Sequence, residues 1–477
     1  MGPGRGRRLG ESWRAHGKVR EAVYNSRTLG QQRIIQSNAP ISNVAAITPN
    51  ASAARRPGFL RSMSLRSPSR TRFTLAITGL TLAACTEATA PARRFPVLTD
   101  DGHGDWASVS VGGDHTCALK TDGSAYCWGS NRDGQLGTMQ SDTTCGKGNN
   151  AYPCTLVPRR IDSRLSFLSI SAGLRHTCAI STDRQAYCWG NNADGQVADF
   201  ATSGPVIVQI PSTLPFSQIS AGATHTCAVR ADGALFCWGS NDRGQLGSSS
   251  TSSGTVRVFL GAPVASVSAG QERTCARTLS GNTSCWGATW FERVNGLEMT
   301  RAVFGPTPVI GAGLMASISV GSFTTCATDF AARAYCWEGN PRGELGDGTQ
   351  SGAIVPQPVA GGLTFVQVSA GIVQTCGIAT SGAGYCWGDD SFGQLGVHPS
   401  VLIERCGGQS LPCATKPIAV TGLQKFVDLA TGFGSHTCGV TTHGNLYCWG
   451  LGVSGQRGDG SEIGGIATPL RVVEPPK

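Results

Sequence analysis

Fourteen cysteines of this 477-residue chain fall into seven pairs, each pair separated by nine residues and followed at once by tryptophan. The pairs are Cys117 with Cys127, Cys178 with Cys188, Cys227 with Cys237, Cys275 with Cys285, Cys326 with Cys336, Cys376 with Cys386 and Cys438 with Cys448. The first cysteines of successive pairs lie 61, 49, 48, 51, 50 and 62 residues apart. A period of about 50 residues means one supersecondary unit copied along or around an array.

The first copy shows what the unit builds. Two short β-prone runs, His115–Lys120 and Ser124–Gly129, flank Thr121-Asp122-Gly123. A three-residue loop with glycine in the left-handed position is a common hairpin connection. If Lys120 faces Ser124 across it, Cys117 falls opposite Cys127 in a non-hydrogen-bonded pair, with Cα atoms about 4.5 Å apart. That separation is at the short end of what a disulfide tolerates, so the spacing predicts a cross-strand disulfide inside each hairpin. A third strand precedes the hairpin and ends in small residues (Ile170-Ser171-Ala172-Gly173, Val368-Ser369-Ala370-Gly371). A fourth begins near a proline (Pro205-Val206-Ile207, Pro308-Val309-Ile310, Pro358-Val359). Four short strands per unit, no helical periodicity and 65 glycines for turns read as all-β. Four-stranded units repeated radially are propeller blades.

The string Val109-Ser110-Val111-Gly112-Gly113-Asp114-His115-Thr116-Cys117, then Asp122-Gly123, then Trp128-Gly129-Ser130-Asn131-Arg132-Asp133-Gly134-Gln135-Leu136-Gly137, resembles the regulator of chromosome condensation repeat. That family forms seven-bladed β-propellers. The resemblance implies an all-β, seven-bladed propeller of four-stranded blades over 106–477. Thr468-Pro469-Leu470-Arg471-Val472-Val473 resembles the proline-led strand, with no hairpin after it. It is expected to pair into the N-terminal blade, so that the ring is closed by the C-terminal strand; Phe95-Pro96-Val97-Leu98 has a similar look. The copies are unequal. Blade 4 loses the Gly-Gln-Leu-Gly turn and reads Gly287-Ala288-Thr289-Trp290-Phe291-Glu292-Arg293, and blade 5 has Glu338 where the others have glycine. The histidine of the His-Thr step persists as His115, His176, His225 and His436 and becomes Arg273, Thr324 and Gln374 elsewhere.

Upstream, a basic flank (Met63–Arg72), an apolar run (Phe73–Ala84) and Cys85 form a secretory leader. Twelve residues are too few to span a bilayer as a helix. The end, Leu82-Ala83-Ala84-Cys85, resembles a bacterial lipobox, which implies a lipoprotein signal peptide over 63–84, a lipid on Cys85 and a linker over 85–105. Residues 1–62 then precede the true start and are untranslated or disordered. Residues 1–84 hold 14 Lys and Arg against 2 Asp and Glu, so their removal turns the formal charge from +9 to −3. The basic balance belongs to the leader and gives no support for a nucleic-acid surface. The four remaining cysteines, Cys145, Cys154, Cys406 and Cys413, sit in the two long intervals, so each insertion is expected to carry its own disulfide. An oxidising compartment permits this, and the expected location is the bacterial cell envelope, outside the cytoplasm.

No nucleophile elbow, phosphate-cradling loop or zinc-protease motif occurs. Neither metal nor cofactor is expected. The Asp-Gly steps (Asp122, Asp232, Asp347, Asp459) read as turns rather than calcium ligands. The repeated histidines read as residues bonded to a neighbouring turn, and the repeated tryptophans as inter-blade core. The better binding candidates vary in every blade between the small turn and the histidine position: Asp114, Arg175, Thr224, Glu272, Phe323, Val373 and Phe433. In a propeller they lie on one face around the axis. The expected function is non-catalytic binding of a protein or other envelope macromolecule by a monomer held to the membrane through Cys85. The family resemblance also implies two alternatives: guanine-nucleotide exchange on a small GTPase, as in the eukaryotic namesake, and enzyme inhibition of the kind known for β-lactamase inhibitors. A glycan-binding propeller is a further alternative.

Overall fold

In the computed structural model the chain around each cysteine pair folds as the spacing requires. Residues 103–475 are described, apart from 199–202, 250–253, 295–296, 399, 402–403, 408–409, 423–424 and the side chains of 290–300. The leader, Cys85, residues 1–62, most of the linker and Phe95–Leu98 lie outside the described residues. In blade 1 the Lys120 N–H donates to the Ser124 carbonyl (3.0 Å) and the Gly123 N–H to the Lys120 carbonyl (2.9 Å). Gly123 takes φ +80°, the left-handed conformation this loop requires. Cys117 therefore faces Cys127, with Cα atoms 4.1 Å apart and the sulfurs bonded.

The other six hairpins repeat the pattern. Cys178 faces Cys188, Cys227 faces Cys237 and Cys275 faces Cys285. Cys326 faces Cys336, Cys376 faces Cys386 and Cys438 faces Cys448. All six pairs are bonded, with Cα atoms 4.0 to 4.1 Å apart. The expected disulfides are thus present in every hairpin. Cys145 with Cys154 and Cys406 with Cys413 close the two insertions, also as expected.

Seven antiparallel sheets result, each built from consecutive strands. In blade 1 the strands run, from the axis outward, Trp106–Val111, His115–Lys120, Ala125–Ser130 and Tyr152–Arg160. The proline-led reading of the outer strand holds for blade 2, Gly204–Gln209, but Pro308 and Pro358 end the outer strands of blades 4 and 5. In blades 2, 4 and 5 the outer strand is the sheet edge, where a proline nitrogen facing away from the third strand costs no ladder bond.

The expected closure needs correction. The last strand, Ile466–Arg471, pairs with Leu446–Gly450 of its own blade, not with blade 1. The repeat begins with the innermost strand, so every blade is complete in sequence order. Blade 1 meets blade 7 through side chains and several backbone bonds. Trp106, Val109, Val111 and Trp128 pack with Val440, Leu446 and Val472, and the Trp106 N–H donates to the Gly444 carbonyl (3.1 Å). The same step joins other neighbours, as from Phe167 to Gly123 (2.8 Å). Glu474, beyond the last strand, accepts from Trp106 Nε1 (3.0 Å).

The blades share a polar latch. In six interfaces the carbonyl of the Gln in Gly-Gln-Leu-Gly, or of its counterpart Glu344, accepts two bonds from the next blade: Trp189 Nε1 (2.9 Å) and Thr177 Oγ1 (2.8 Å) on Gln135 are one case. The others end on Gln196, Gln245, Glu344, Gln394 and Gln456. The tryptophan, not the histidine, thus bonds the turn. Each histidine instead meets the next blade's threonine hydroxyl, His115 with Thr177 (2.9 Å), His176 with Thr226 (2.9 Å), His225 with Thr274 (2.8 Å) and His436 with Thr116 (2.8 Å). The threonine's one proton goes to the carbonyl, so Nε2–H must be the donor, and Nδ1, buried without a partner, is the bare nitrogen of a neutral ring. Burial agrees: it pushes all four histidines down to about 3.

Candidate functional site

Each innermost strand runs toward one face of the ring and turns there into the second strand. The second strand returns to the opposite face, where the three-residue hairpin lies. The third strand comes back, and its connection to the outer strand lies again on the first face. The ring thus has a loop face, with the inner turns and the third-to-outer connections, and a hairpin face, with the hairpins and the inter-blade linkers.

The inner turns are tied into a circle. Gly113 N–H donates to the Gly173 carbonyl of blade 2 (3.2 Å), and Leu174 to Gly222 (3.1 Å), Ala223 to Gly270 (3.1 Å), Gln271 to Gly321 (3.4 Å) and Ser322 to Gly371 (3.1 Å) continue it. In blade 6 the side chain of Gln374 makes the crossing, Nε2 donating to the Gly434 carbonyl (3.0 Å). These bonds put Asp114, Arg175, Thr224, Glu272, Phe323 and Val373 at equivalent places around the axis. Blade 7 has one residue more, and Ser435, whose carbonyl accepts from Leu451 N–H (2.8 Å), takes the place that Asp114 holds toward Ser130 (2.8 Å). Phe433 is the added residue of that turn.

The third-to-outer loops join the same surface, a contribution that the sequence reading overlooked. Their tips vary just before the repeated Gly-Gln: Arg132-Asp133, Ala193-Asp194, Asp242-Arg243, Pro341-Arg342, Ser391-Phe392 and Val453-Ser454. They pair across blades, Arg175 with Asp133 (3.8 Å) and Arg243 with Glu272 (3.6 Å). Asp114 stands at the surface beside the axis; crowding raises its carboxyl, while Arg175 and Arg132 draw it back down. Burial and the neighbouring Asp242 raise Asp194. Blades 1 to 4 thus present charge. Blades 5 to 7 present Phe323, Val373, Phe392, Phe433 and Val453, of which Phe392 and Val453 are 42% and 44% exposed.

All three large departures from the repeat lie in third-to-outer connections, on this face. The blade 1 insertion leans on blade 7, with Tyr152 Oη 2.7 Å from Ser454 Oγ. The blade 6 insertion leans on blade 5, where Gly407 N–H donates to Gln350 Oε1 (3.1 Å). In blade 4 the lost turn is replaced by a long hairpin, Thr283–Val294 paired with Leu297–Pro308.

The four latch histidines are buried, and the Asp-Gly carboxylates serve their own turns, Asp122 accepting from Ser124 N–H (2.8 Å) and Asp347 from Thr349 N–H (2.9 Å). Asp232 pairs with Arg230 (2.6 Å) and Asp459 with Arg457 (3.1 Å). Among the described residues the one group spaced to share an ion is Cys145, Cys154 and Glu462, and its cysteines are joined in a disulfide, so they offer no thiolate.

Two models of the regulator of chromosome condensation repeat match the chain, one over 106–135, 167–196, 216–245 and 426–456, the other over 122–180, 183–229 and 232–277. The ultraviolet-B receptor UVR8 of Arabidopsis thaliana is 34% identical over 91 residues, 19% of this chain and 19% of that protein. The chain thus aligns with about a fifth of that relative's length. Among solved structures, Prp20p of Saccharomyces cerevisiae, described for its binding to Gsp1p and histones, superposes with a TM-score of 0.64 at 19% identity, over 75% of this chain and 87% of that one. Human WBSCR16 superposes with 0.62 at 21%, over 73% and 94%. These likenesses concern the fold.

Proposed function

The chain belongs to the regulator of chromosome condensation repeat family, and on that premise we propose that it is a non-catalytic binding propeller, exported, anchored through a lipid on Cys85, and engaging another macromolecule with its loop face. The observation that carries this reading is the placement of variation. The residues that differ from blade to blade, both disulfide-closed insertions and the blade 4 hairpin share one face, whereas the disulfide-bonded hairpins opposite keep one design. Packing explains the constant parts; a partner explains a concentration of differences on one side.

The compartment rests on the leader and on the disulfides, since nine buried cystines suit an oxidising environment. The same features weigh against guanine-nucleotide exchange, whose nucleotide and GTPase are cytosolic. A mixed charged and apolar face suits a protein better than a nucleic acid, whose phosphates require clustered cations.

The test is affinity capture from envelope extract with residues 88–477. A partner retained by the wild type and lost on Arg175→Ala with Phe392→Ser supports the reading. Capture indifferent to these changes, or acceleration of nucleotide release from a small GTPase, overturns it.

A further inference from the structure

Five strongly exposed apolar side chains gather on the other face, on neighbouring blades. Phe259 (69% exposed), Leu279 (69%), Ile310 (79%), Leu314 (54%) and Phe330 (67%) occupy hairpin turns and inter-blade linkers of blades 3 to 5. Leu314 and Phe330 both crowd the blade 4 turn, where a Cβ on Gly281 falls 3.1 Å from Leu314 Cβ and 3.0 Å from Phe330 Cε2. Leu279 N–H donates to the Pro263 carbonyl (3.0 Å), which joins this turn to the linker that carries Phe259. An apolar group this exposed at turn tips has no packing role within the ring and marks an interaction surface.

The chain's entry point says what that surface meets. The first described residues lie on the same face, Gly104 N–H donating to the His443 carbonyl in the blade 7 hairpin (2.9 Å). Eighteen residues separate this point from the lipid on Cys85, counted from Cys85 to Gly102. Fully extended they reach roughly 60 Å, so the tether allows that face to touch the surface holding the acyl chains. The tether enters at blades 7 and 1, and the apolar group sits across the axis at blades 3 to 5.

We propose that the hairpin face is a membrane-docking surface, in which Phe259, Leu279, Ile310, Leu314 and Phe330 enter the lipid interface. The inference rests on the lipid-anchor reading. Two attachments on opposite sides of one face lay the ring flat, so the loop face points away from the bilayer. Aromatic and aliphatic side chains with a basic neighbour suit the interface; Arg257, whose guanidinium lies 4.7 Å from the Phe259 ring, flanks the group, while Arg333 is paired with Asp329 (2.7 Å).

All strands of the seven blades lie within residues 106–471, so a chain of residues 88–477 allows the test to be run without the acyl chains. Sedimentation of this chain with phosphatidylethanolamine–phosphatidylglycerol vesicles is expected to fall at least fivefold in Leu279→Ser with Phe330→Ser. It is expected to stay unchanged in Phe392→Ser, with melting temperatures close to wild type in both. Hydrogen exchange of the acylated protein on the same vesicles should slow at 279–281, 310–314 and 329–331. No vesicle binding by residues 88–477 together with no slowing at these turns overturns the proposal, as does self-association through them. An unacylated Cys85 in the native protein overturns the anchor alone, because binding by residues 88–477 is measured without it.

Discussion

Arg273 and Glu338 form a buried ion pair between blades 4 and 5, at the interface where the latch turn is missing. Six interfaces offer a turn carbonyl to a threonine hydroxyl and a tryptophan N–H. Here Glu338 Oε2 accepts from Thr325 Oγ1 instead (2.9 Å). The glutamate stands where the other blades have glycine, at φ +86°. Three departures that look independent in sequence, the lost turn, Arg273 and Glu338, are thus one repair. Glu338→Gly should leave Arg273 as an unpaired buried charge and cost about 3–5 kcal/mol. Adding Arg273→His should recover part of that, since the charge is gone. A double-mutant cycle by urea unfolding checks the coupling; additive losses would refute it.

The repair is incomplete, for Trp337 Nε1 has no acceptor. Trp387→Phe should remove a satisfied bond to the Glu344 carbonyl (2.8 Å), whereas Trp337→Phe removes only an orphaned donor. The first change is expected to cost about 1–2 kcal/mol more than the second. Thermal or urea unfolding of the two variants measures the difference directly.

Glu344 occupies the place of the repeated glutamine, and its Oε2 accepts from Arg342 N–H (2.7 Å) as Gln135 Oε1 does from Asp133 (2.9 Å). Burial pushes its carboxyl up to about 8 from 4.5. Asp390, in the place of the repeated asparagine, is likewise pushed by burial from 3.8 to about 7. A carboxyl raised by folding stabilises fully below its unfolded value and loses that stability as pH rises through the folded one. Glu344→Gln should therefore match the wild type near pH 4 and melt higher at pH 8 to 9. Equal melting curves at both ends would show that folding does not raise the carboxyl.

The four latch histidines act in the opposite direction. Their unfolded value is 6.5 and their folded value about 3, so their contribution is complete above pH 6.5 and is lost as pH falls toward 3. Between pH 4.5 and 6.5 the histidines and the raised carboxyls oppose each other. Four histidines outweigh Glu338, Glu344 and Asp390, so melting temperature should rise gently to about pH 6.5 and decline above it as the carboxyls ionise. A steady rise from pH 5 to pH 8 would contradict it.

Two hairpins lack the glycine that the loop calls for. Arg184 and Ala332 take φ +60° and +61° in the place of Gly123. Left-handed geometry costs an L-residue roughly 1–2 kcal/mol, so Ala332→Gly should raise stability by about 1 kcal/mol. Unfolding in denaturant, with an unchanged slope, is the measurement.

Sequence reached the blade because local geometry governs it: a three-residue turn puts Cys117 opposite Cys127 whatever surrounds them. The closing strand was misread because Thr468-Pro469-Leu470 states that an edge strand is present, not which neighbour it joins. That choice depends on where the repeat begins, and a repeat has no marked start. The His–Thr–carbonyl latch joins residues from 29 to 340 apart, such as Thr274 with Gln245 and Thr116 with Gln456, which no local pattern displays. Phe392 and Val453 went unnoticed beside Phe433 because only the ring brings turn and loop tip together. Leu279 and Phe330, 51 residues apart, likewise share a face only through the ring.

The most direct test is a non-reducing peptide map of the protein isolated from its natural source, read by mass spectrometry. A hairpin disulfide restricts the unfolded chain by roughly 3 kcal/mol or less, and seven together rival the net stability of a whole domain, about 5–15 kcal/mol. An exported, stapled propeller predicts every one of the seven pairs oxidised within its own blade, from Cys117 with Cys127 through Cys438 with Cys448, and Cys145 with Cys154 and Cys406 with Cys413 beside them. Free thiols at most of these positions, or linkages from blade to blade, would contradict both the register of the ring and its place outside the cytoplasm.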